Sequence, residues 1–378
     1  MRTAYVVTHH WVPNFGANLQ AYAIRVALSA RGLKPVFVDF RPAELVQKYL
    51  HSVSAQQAKA HHDFLEEHLP HTERVSSHAE FLDLCRRCPP DILISGSDAV
   101  FRLDSKSSRA DLSFPNPYWL TGIDTNSERE LQRIALAPSA MGTRFRSLPA
   151  QTRSLIVDAL FEMDAVSARD SWTESQIKSL GYSGDCPILA DPVFTLHPLI
   201  MEYVKQSHPS RPYIVLGTQG AKSSEWITRF SRIAASNGYD TVAVPSPEGV
   251  IDYGTTRRAS LPLTPFDWLR LLAGSSGYVG GRFHPIIVSL AAGNPVVSLD
   301  QYHAHCLDKT SSKSWLLMKD FGLEGACFGR RFHWWTSPRR TWELLQKQRD
   351  RKMSVSDRVE QNSRDFLGFL DANITSSS

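Results

Sequence analysis

The strongest constraint in this chain is an alternation of short apolar runs with segments of helical period, broken once and then resumed. The runs "AYVV" (4–7), "PVFVDF" (35–40), "DILIS" (91–95), "RIALAP" (133–138), "AVSARD" (165–170) and "ILADPVF" (188–194) read as strands. Between the first two, Leu19, Ile24 and Leu28 recur near helical spacing and Gly32 follows, which predicts a helix over 16–30. Asp170 or Ser171 caps a helix that runs to Leu180 and is closed by Gly181. The polar, proline-marked stretch "HPLIMEYVKQSHPSRP" (197–212) interrupts the pattern, which restarts with "YIVLG" (213–217), "TVAVP" (241–245), "GYVGG" (277–281) and "PVVSL" (295–299). Helices are expected near 223–236, 264–275, 285–293, 312–322, 338–351 and 356–371. Such alternation implies an α/β chain with parallel sheets covered by helices. Two rounds of it in 378 residues give two domains, 1–200 and 210–355, followed by a C-terminal helix and tail, 356–378. In open parallel sheets ligands bind beyond the carboxyl ends of the strands, so the site is expected in a cleft between the domains.

Composition removes several classes of function. A net charge of +4 is small for this length; it argues for no nucleic-acid partner and suits a pocket for small anions. No apolar run approaches the roughly 18 residues that span a membrane, and "MRTAYVVTHHWVP" lacks the apolar region of a secretory signal. Five scattered cysteines, an odd number, point to a reducing, cytoplasmic setting. The "CRRC" pair (85–88) has no second pair to complete a metal site and reads as chance spacing. "RRFHWWTSPRR" (330–340) mixes bases with aromatics, and one such patch reads as surface helix packing.

The chemistry-bearing residues fall at strand ends. In "THHWVPNFGANLQAYA", Asn14 caps a helix and Gly16 permits close backbone approach, so the turn suits either capping alone or a ligand. In "ISGSDAVF" (94–101), Gly96 turns the chain and Ser97 and Asp98 project, Asp98 as a helix cap or as a general base. "GYVGGRFHPIIVSLAAGNP" (277–295) is the most informative stretch. Gly281 and Arg282 at a helix start make a phosphate or carboxylate site, and His284 can donate a proton near neutral pH. Arg169 either reaches a bound anion or pairs with a local acid. Asp191 reads as a fixed turn before Pro192, and Ser311, Ser312 and Lys313 offer either an anion site or a solvated helix start.

Taken together, "NFGANLQAYA", "ISGSDAVF", "VSARDSW" with "ILADPVF", "GGRFHPIIVSLAAGNPVV" and "SSKSWLLMKDFGL" resemble, in order and spacing, the polysaccharide pyruvyl transferase family. The resemblance implies a GT-B-like fold, two Rossmann-like domains facing across a cleft. It implies pyruvyl transfer from phosphoenolpyruvate, a co-substrate, to hydroxyls of a glycan or glycoside, including lipid-linked acceptors, forming a ketal. No other cofactor and no metal is required by that chemistry. Its Arg-x-His segment lies at the donor, which places Arg282 and His284 there, with Gly281, Arg169 and Lys313 as further donor contacts. Asn14, Gly16, Gln20 and Ser97 would face the acceptor, and the catalytic pair would be His284 as acid and Asp98 as base. "GSDAVF" departs from the family pattern at Ala99 and Phe101, and "HHW" is unusual, so the acceptor side fits less closely than the donor side. A cytoplasmic location, extending to peripheral attachment at the inner membrane face, goes with this reading. The alternatives are a GT-B glycosyltransferase using a nucleotide sugar, for which Glu248 is the available acid, and a repurposed non-catalytic member.

Overall fold

A computed structural model describes residues 1–50, 52–123, 131–218, 221–246, 249, 254–300, 312–329, 336–349 and 352–374. The first sheet contains β1 (Thr3–Val7), β2 (Lys34–Phe40), β3 (His71–Val75), β4 (Ile92–Ser95), β5 (Gln132–Ala135) and β6 (Ala165–Val166). Its helices are α1 (Phe15–Ser29), α2 (Ala43–Leu50), α3 (Ala55–His68), α4 (His78–Arg87), α5 (Ala150–Phe161) and α6 (Ser171–Ser179). The helix α7 (His197–Gln206) leads into the second sheet: β7 (Tyr213–Gly217), β8 (Asp240–Ala243), β9 (Arg257–Arg258), β10 (Tyr278–Gly280), β11 (Val296–Asp300) and β12 (Cys327–Gly329). With these go α8 (Ser224–Ser236), α9 (Pro265–Ala273), α10 (Phe283–Ala291), α11 (Lys313–Asp320), α12 (Pro338–Arg349) and α13 (Lys352–Asn373).

Both sheets are parallel throughout, ordered β3-β2-β1-β4-β5-β6 and β12-β11-β10-β7-β8-β9. Counted from its own first strand, each half has the same order, that of a Rossmann fold. Each therefore has a switch point between its first and fourth strands, where ligands bind. The expected GT-B-like pair of Rossmann-like domains is what the chain adopts. Strand sequence explains the layers: on β1, Ala4 and Val6 join one core cluster while Tyr5 and Val7 join another on the opposite face. Apolar residues on both faces are what a sheet covered by helices on both sides requires.

Several contacts among the described residues hold the halves together, three of them as follows. Phe15 of α1 stacks on Trp268 of α9 at 5.4 Å. Gln57 on α3 brackets the backbone of Leu263, Nε2 donating to its carbonyl at 2.8 Å and Oε1 accepting from its N–H at 2.9 Å. The helix α13 crosses between them, burying Val355 and Val359 in the second core and Phe366 and Leu370 in the first. After Asp191 the chain turns to the second core, where Val193, Phe194, Leu196 and Ile200 pack. "ILADPVF" is not a strand, because Asp191 Oδ1 accepts from Val193 N–H at 3.1 Å and starts a 3-10 turn over Pro192–Leu196. The C-terminal helix begins at Lys352, before the expected 356.

The loop after β1 is tied down by buried histidines. Asn18 Nδ2 donates to the His10 carbonyl at 2.7 Å, and Asn18 Oδ1 lies 2.6 Å from His61 Nδ1. Burial holds both His10 and His61 down to about 4. The unfolded chain takes up these protons below about 6.5, whereas the fold resists them until about 4, so stability is lost as pH falls through that window. Tm measured from pH 7 to pH 5 is expected to fall, and His61→Gln to make that fall shallower; an unchanged slope in the variant would reject the assignment.

Candidate functional site

A cavity of about 320 Å³ lies between the strand ends of the two halves. It is walled by the loops that follow the switch-point strands: His9, Asn14 and Gly16 after β1, Asp98 after β4, and Gly281, Arg282 and His284 after β10. Lys313, the first residue of α11, completes it. Arg169 and Asp191 line an adjoining space of about 560 Å³, which shares Phe283 and Lys313 with the first.

Asn14 acts as a cap: its Oδ1 accepts from Gly16 N–H at 3.0 Å and Ala17 N–H at 3.3 Å. Gly16 has a steric role across the cleft. A Cβ there would lie 2.1 Å from both Cγ and Nδ1 of His284, so the first turn of α1 packs directly on that imidazole. Of the sequence-expected acceptor contacts, Gln20 and Ser97 do not reach the cavity. Both are fully buried beneath it, and Gln20 Nε2 donates to Ser97 Oγ at 2.8 Å. The reason is helical geometry: α1 points its N-terminus at the cleft, so only its first turn lines it, and Gln20 one turn later faces the sheet.

Asp98 has φ 85° and ψ −167°, a backbone conformation nearly restricted to glycine, which costs on the order of 1–3 kcal/mol. Its surroundings enforce this. The Asp98 carbonyl accepts from Ser139 N–H at 2.7 Å, and the Ser97 carbonyl accepts from Thr8 Oγ1 at 2.8 Å. Burial acts to raise the Asp98 carboxyl, but Arg169, His9, Lys313 and His284 outweigh it and hold it well below the usual carboxylate range. Asp98 is therefore an anion at any physiological pH.

Asp191 is the node of the site, a role the strand-end reading of "ADPVF" missed. Its Oδ2 accepts from Gln20 Nε2 at 2.8 Å and Arg169 Nη1 at 3.3 Å, and lies 3.7 Å from His284 Nε2. Arg169 spends Nη1 on Asp191 and on Asp98, at 3.7 Å. Among the described residues its Nε and Nη2 are buried with no hydrogen-bond partner. These two lie on one edge of the guanidinium, the edge that grips an oxyanion with two parallel hydrogen bonds. An anionic ligand in the adjoining space would satisfy both donors. Arg169 and Lys313 also lie 5.1 and 4.8 Å from the Phe283 ring centroid, so one aromatic side chain spaces the two cations. Burial, then Arg169, draws the Lys313 ammonium below its ordinary range, against Asp98, Asp191 and Asp170. Burial also lowers His284, opposed by Asp191 and Asp98 and aided by Lys313 and Arg169. Among the described residues His284 Nε2 has no hydrogen-bond partner.

Arg282 makes no side-chain cap on α10, and Pro285 at the third position removes one N–H, leaving the first turn open toward the cavity. On the first-domain side His9 Nδ1 lies 3.1 Å from Tyr118 Oη, giving the unusual "HHW" a place in the wall, while His10 is structural. Arg109, braced on Asp111 at 3.0 Å, and Arg102 flank the same mouth. Glu248, Ser311, Cys306 and the "RRFHWW" part of the aromatic stretch lie outside the described residues. Among the described residues no helix is long and apolar enough to cross a membrane.

A family model described as polysaccharide pyruvyl transferase matches residues 14–302. The curated proteins include no match. Among solved structures the chain is similar to the UDP-GlcNAc 2-epimerase from Neisseria meningitidis bound to UDP-GlcNAc, with 10% identity and a TM-score of 0.57 over 99% of this chain and 100% of that one. It is also similar to Arabidopsis thaliana UGT89C1 complexed with UDP, with 11% identity and a TM-score of 0.54 over 98% and 99%. At such identities the likeness is one of fold.

Proposed function

The chain belongs to the polysaccharide pyruvyl transferase family, and from that premise we propose that it transfers a pyruvyl unit from phosphoenolpyruvate to two hydroxyls of a glycan or glycoside, forming a ketal. The observation that carries this reading is the buried, unpartnered edge of Arg169 beside Lys313 and His284 at the junction of the two cavities. Phosphoenolpyruvate carries two anionic groups on three carbons. Its phosphate fits the Arg169 edge and Lys313, and its carboxylate fits Arg282 and the first turn of α10. The acceptor then enters from the first-domain side, past Asn14 and Gly16.

The reaction needs one proton placed and two hydroxyl protons removed. His284 Nε2 gives a proton to the methylene carbon, whose double-bond electrons become the new C–H bond. The adjacent carbon becomes cationic and the first acceptor oxygen bonds to it. That hydroxyl is strongly acidic once attached to a cationic carbon, so Asp98 can take its proton although it is a weak base. The carbon–oxygen bond to phosphate then breaks, with Arg169 and Lys313 stabilising the leaving charge. The second hydroxyl bonds to the same carbon, closing the ketal, and its proton leaves with the phosphate or returns to His284. Membership of an acceptor class, lipid-linked or free, is not needed for these steps.

Phosphoenolpyruvate is expected to raise Tm by several degrees, and Arg169→Met to abolish most of the rise, since RT ln(1 + [L]/Kd) gives about 2.7 kcal/mol at a hundredfold excess over Kd. A nucleotide sugar is expected to have no such effect. The fold likeness to proteins solved with UDP or UDP-GlcNAc makes that control informative. Stabilisation by UDP-GlcNAc and not by phosphoenolpyruvate would replace this reading with a glycosyltransferase.

A further inference from the structure

The donor pocket described above leaves one buried carboxylate without a chemical duty, that of Asp191. Its Oδ2 faces a cation and a protonatable imidazole at once: Arg169 Nη1 at 3.3 Å and His284 Nε2 at 3.7 Å, the second too long for a hydrogen bond. Gln20 Nε2, 2.8 Å away and itself anchored on Ser97, and Val193 N–H hold the carboxylate in place between them. All three side chains are buried, Asp191 to 1% and Arg169 to 2% side-chain exposure, so water does not screen the competition.

We infer that Asp191 is a positioning residue shared between Arg169 and His284, and that an oxyanion seated on Arg169 releases Asp191 to His284, so that donor binding itself loads the proton the transfer uses. The inference rests on the phosphoenolpyruvate reading. In the observed geometry Arg169 is paired with Asp98 and Asp191, and among the described residues His284 Nε2 has no hydrogen-bond partner. A phosphate on the Nε/Nη2 edge satisfies the guanidinium from its other side and weakens its hold on Asp191. The carboxylate need move less than about 1 Å to come within hydrogen-bond reach of His284 Nε2, which then takes a proton from solvent. Burial still lowers the imidazole in the complex, but the charged groups facing it shift toward favouring its protonated form. Asp191 and Asp98 favour the charged ring, and the two opposing cations, Lys313 and Arg169, are occupied by phosphate. No acid is needed until the donor has arrived, which protects the empty enzyme from holding an uncompensated imidazolium.

The test follows the His284 imidazole directly. In protein labelled with ¹³C at histidine Cε1, the His284 resonance, assigned by its loss in His284→Gln, is titrated with and without saturating phosphoenolpyruvate. The wild-type midpoint is expected to rise by about one pH unit or more on donor binding, equivalent to a factor of about ten in proton affinity. In Asp191→Asn the donor still binds, within about threefold, yet the midpoint moves by less than about a third of a unit and kcat falls about thirtyfold. The alkaline limb of the kcat profile moves to lower pH by about one unit, a change a merely structural lesion would not produce. If Asp191→Asn does not fold, Gln20→Met carries the test: it keeps the carboxylate but removes its anchor, and is expected to halve the donor-induced shift while leaving KM for phosphoenolpyruvate within about threefold. A wild-type midpoint that stays put while phosphoenolpyruvate binds overturns the inference, as does an equal shift in Asp191→Asn. Failure of phosphoenolpyruvate to bind the wild type overturns the donor assignment itself, and this inference with it.

Discussion

Replacing His284 by glutamine is expected to lower kcat for pyruvyl transfer about a thousandfold while changing the affinity for phosphoenolpyruvate less than about threefold. Three features set that size. His284 faces the cavity from a helix start, and among the described residues its Nε2 has no hydrogen-bond partner. The methylene carbon of an enol phosphate is a poor base, so its protonation carries much of the barrier, and a placed acid is worth between about a hundredfold and ten-thousandfold. Glutamine occupies similar volume and keeps a donor N–H, so binding survives while the transferable proton does not. The split between kcat and KM is the diagnostic measurement, by phosphate release in single turnover and at steady state. A fall below tenfold would put the acid elsewhere; a rise in KM equal to the fall in kcat/KM would make His284 a binding group. Asp98 contributes nothing to the neutral-pH limbs of the profile, because its neighbours keep it ionised far below that range.

How much of this site could be read from the sequence depended on where each element sits in the sheet. Interior strands such as "AYVV" and "DILIS" are buried on both faces and show as unbroken apolar runs, so their ends, and the Asn14, Asp98 and Arg282 loops after them, could be placed before any coordinates. The edge strands β3 and β9 gave no such signal. β3 is "HTERV" with two exposed residues, and β9 is two exposed arginines, so both are held by pairing and not by apolar content. The three helices of 41–90 differ from these strands, since they bury Leu45, Phe64, Leu65, Phe81 and Leu84. Within the site, the residues at the first turn of a helix were legible because caps and glycines have local signatures. Asp191 was not: a carboxylate before a proline looks like a turn in any context, and its partners Gln20, Arg169 and His284 are distant in sequence. Gln20 was misplaced by one helical turn's worth of geometry. The sequence put it on the helix that reaches the cleft, but not on the part of it that does. The polar stretch at 197–212 holds a helix, α7, and the chain already packs on the second core from Val193 onward.

Gly16→Ala is expected to cost about a hundredfold in kcat and to lower stability by about 1–3 kcal/mol, against the ordinary expectation for this substitution. Gly16 lies inside α1 with an unremarkable backbone, so in isolation alanine would strengthen the helix by up to about 1 kcal/mol. The new methyl would instead stand 2.1 Å from Cγ and Nδ1 of His284 and 2.5 Å from its Cβ. Normal contact needs about 3.5–4 Å. The atoms in the way are the root of the imidazole, not a free end, so no rotamer change of His284 clears them. Either α1 and α10 separate, straining the Phe15–Trp268 stack between the halves, or the imidazole is forced off its present axis. A displacement of about 1 Å at a reacting group is worth about two orders of magnitude in rate, and the lost packing exceeds the gain in helix propensity. Gly368→Ala in α13 supplies the control, since a Cβ there meets nothing within 4 Å and should raise Tm slightly. Melting curves and kcat for the two variants decide the matter. If Gly16→Ala behaved like Gly368→Ala, with Tm raised and turnover intact, the two helix starts would not be in contact in the working enzyme, and the glycine would be only the well-capped helix turn that its sequence suggests.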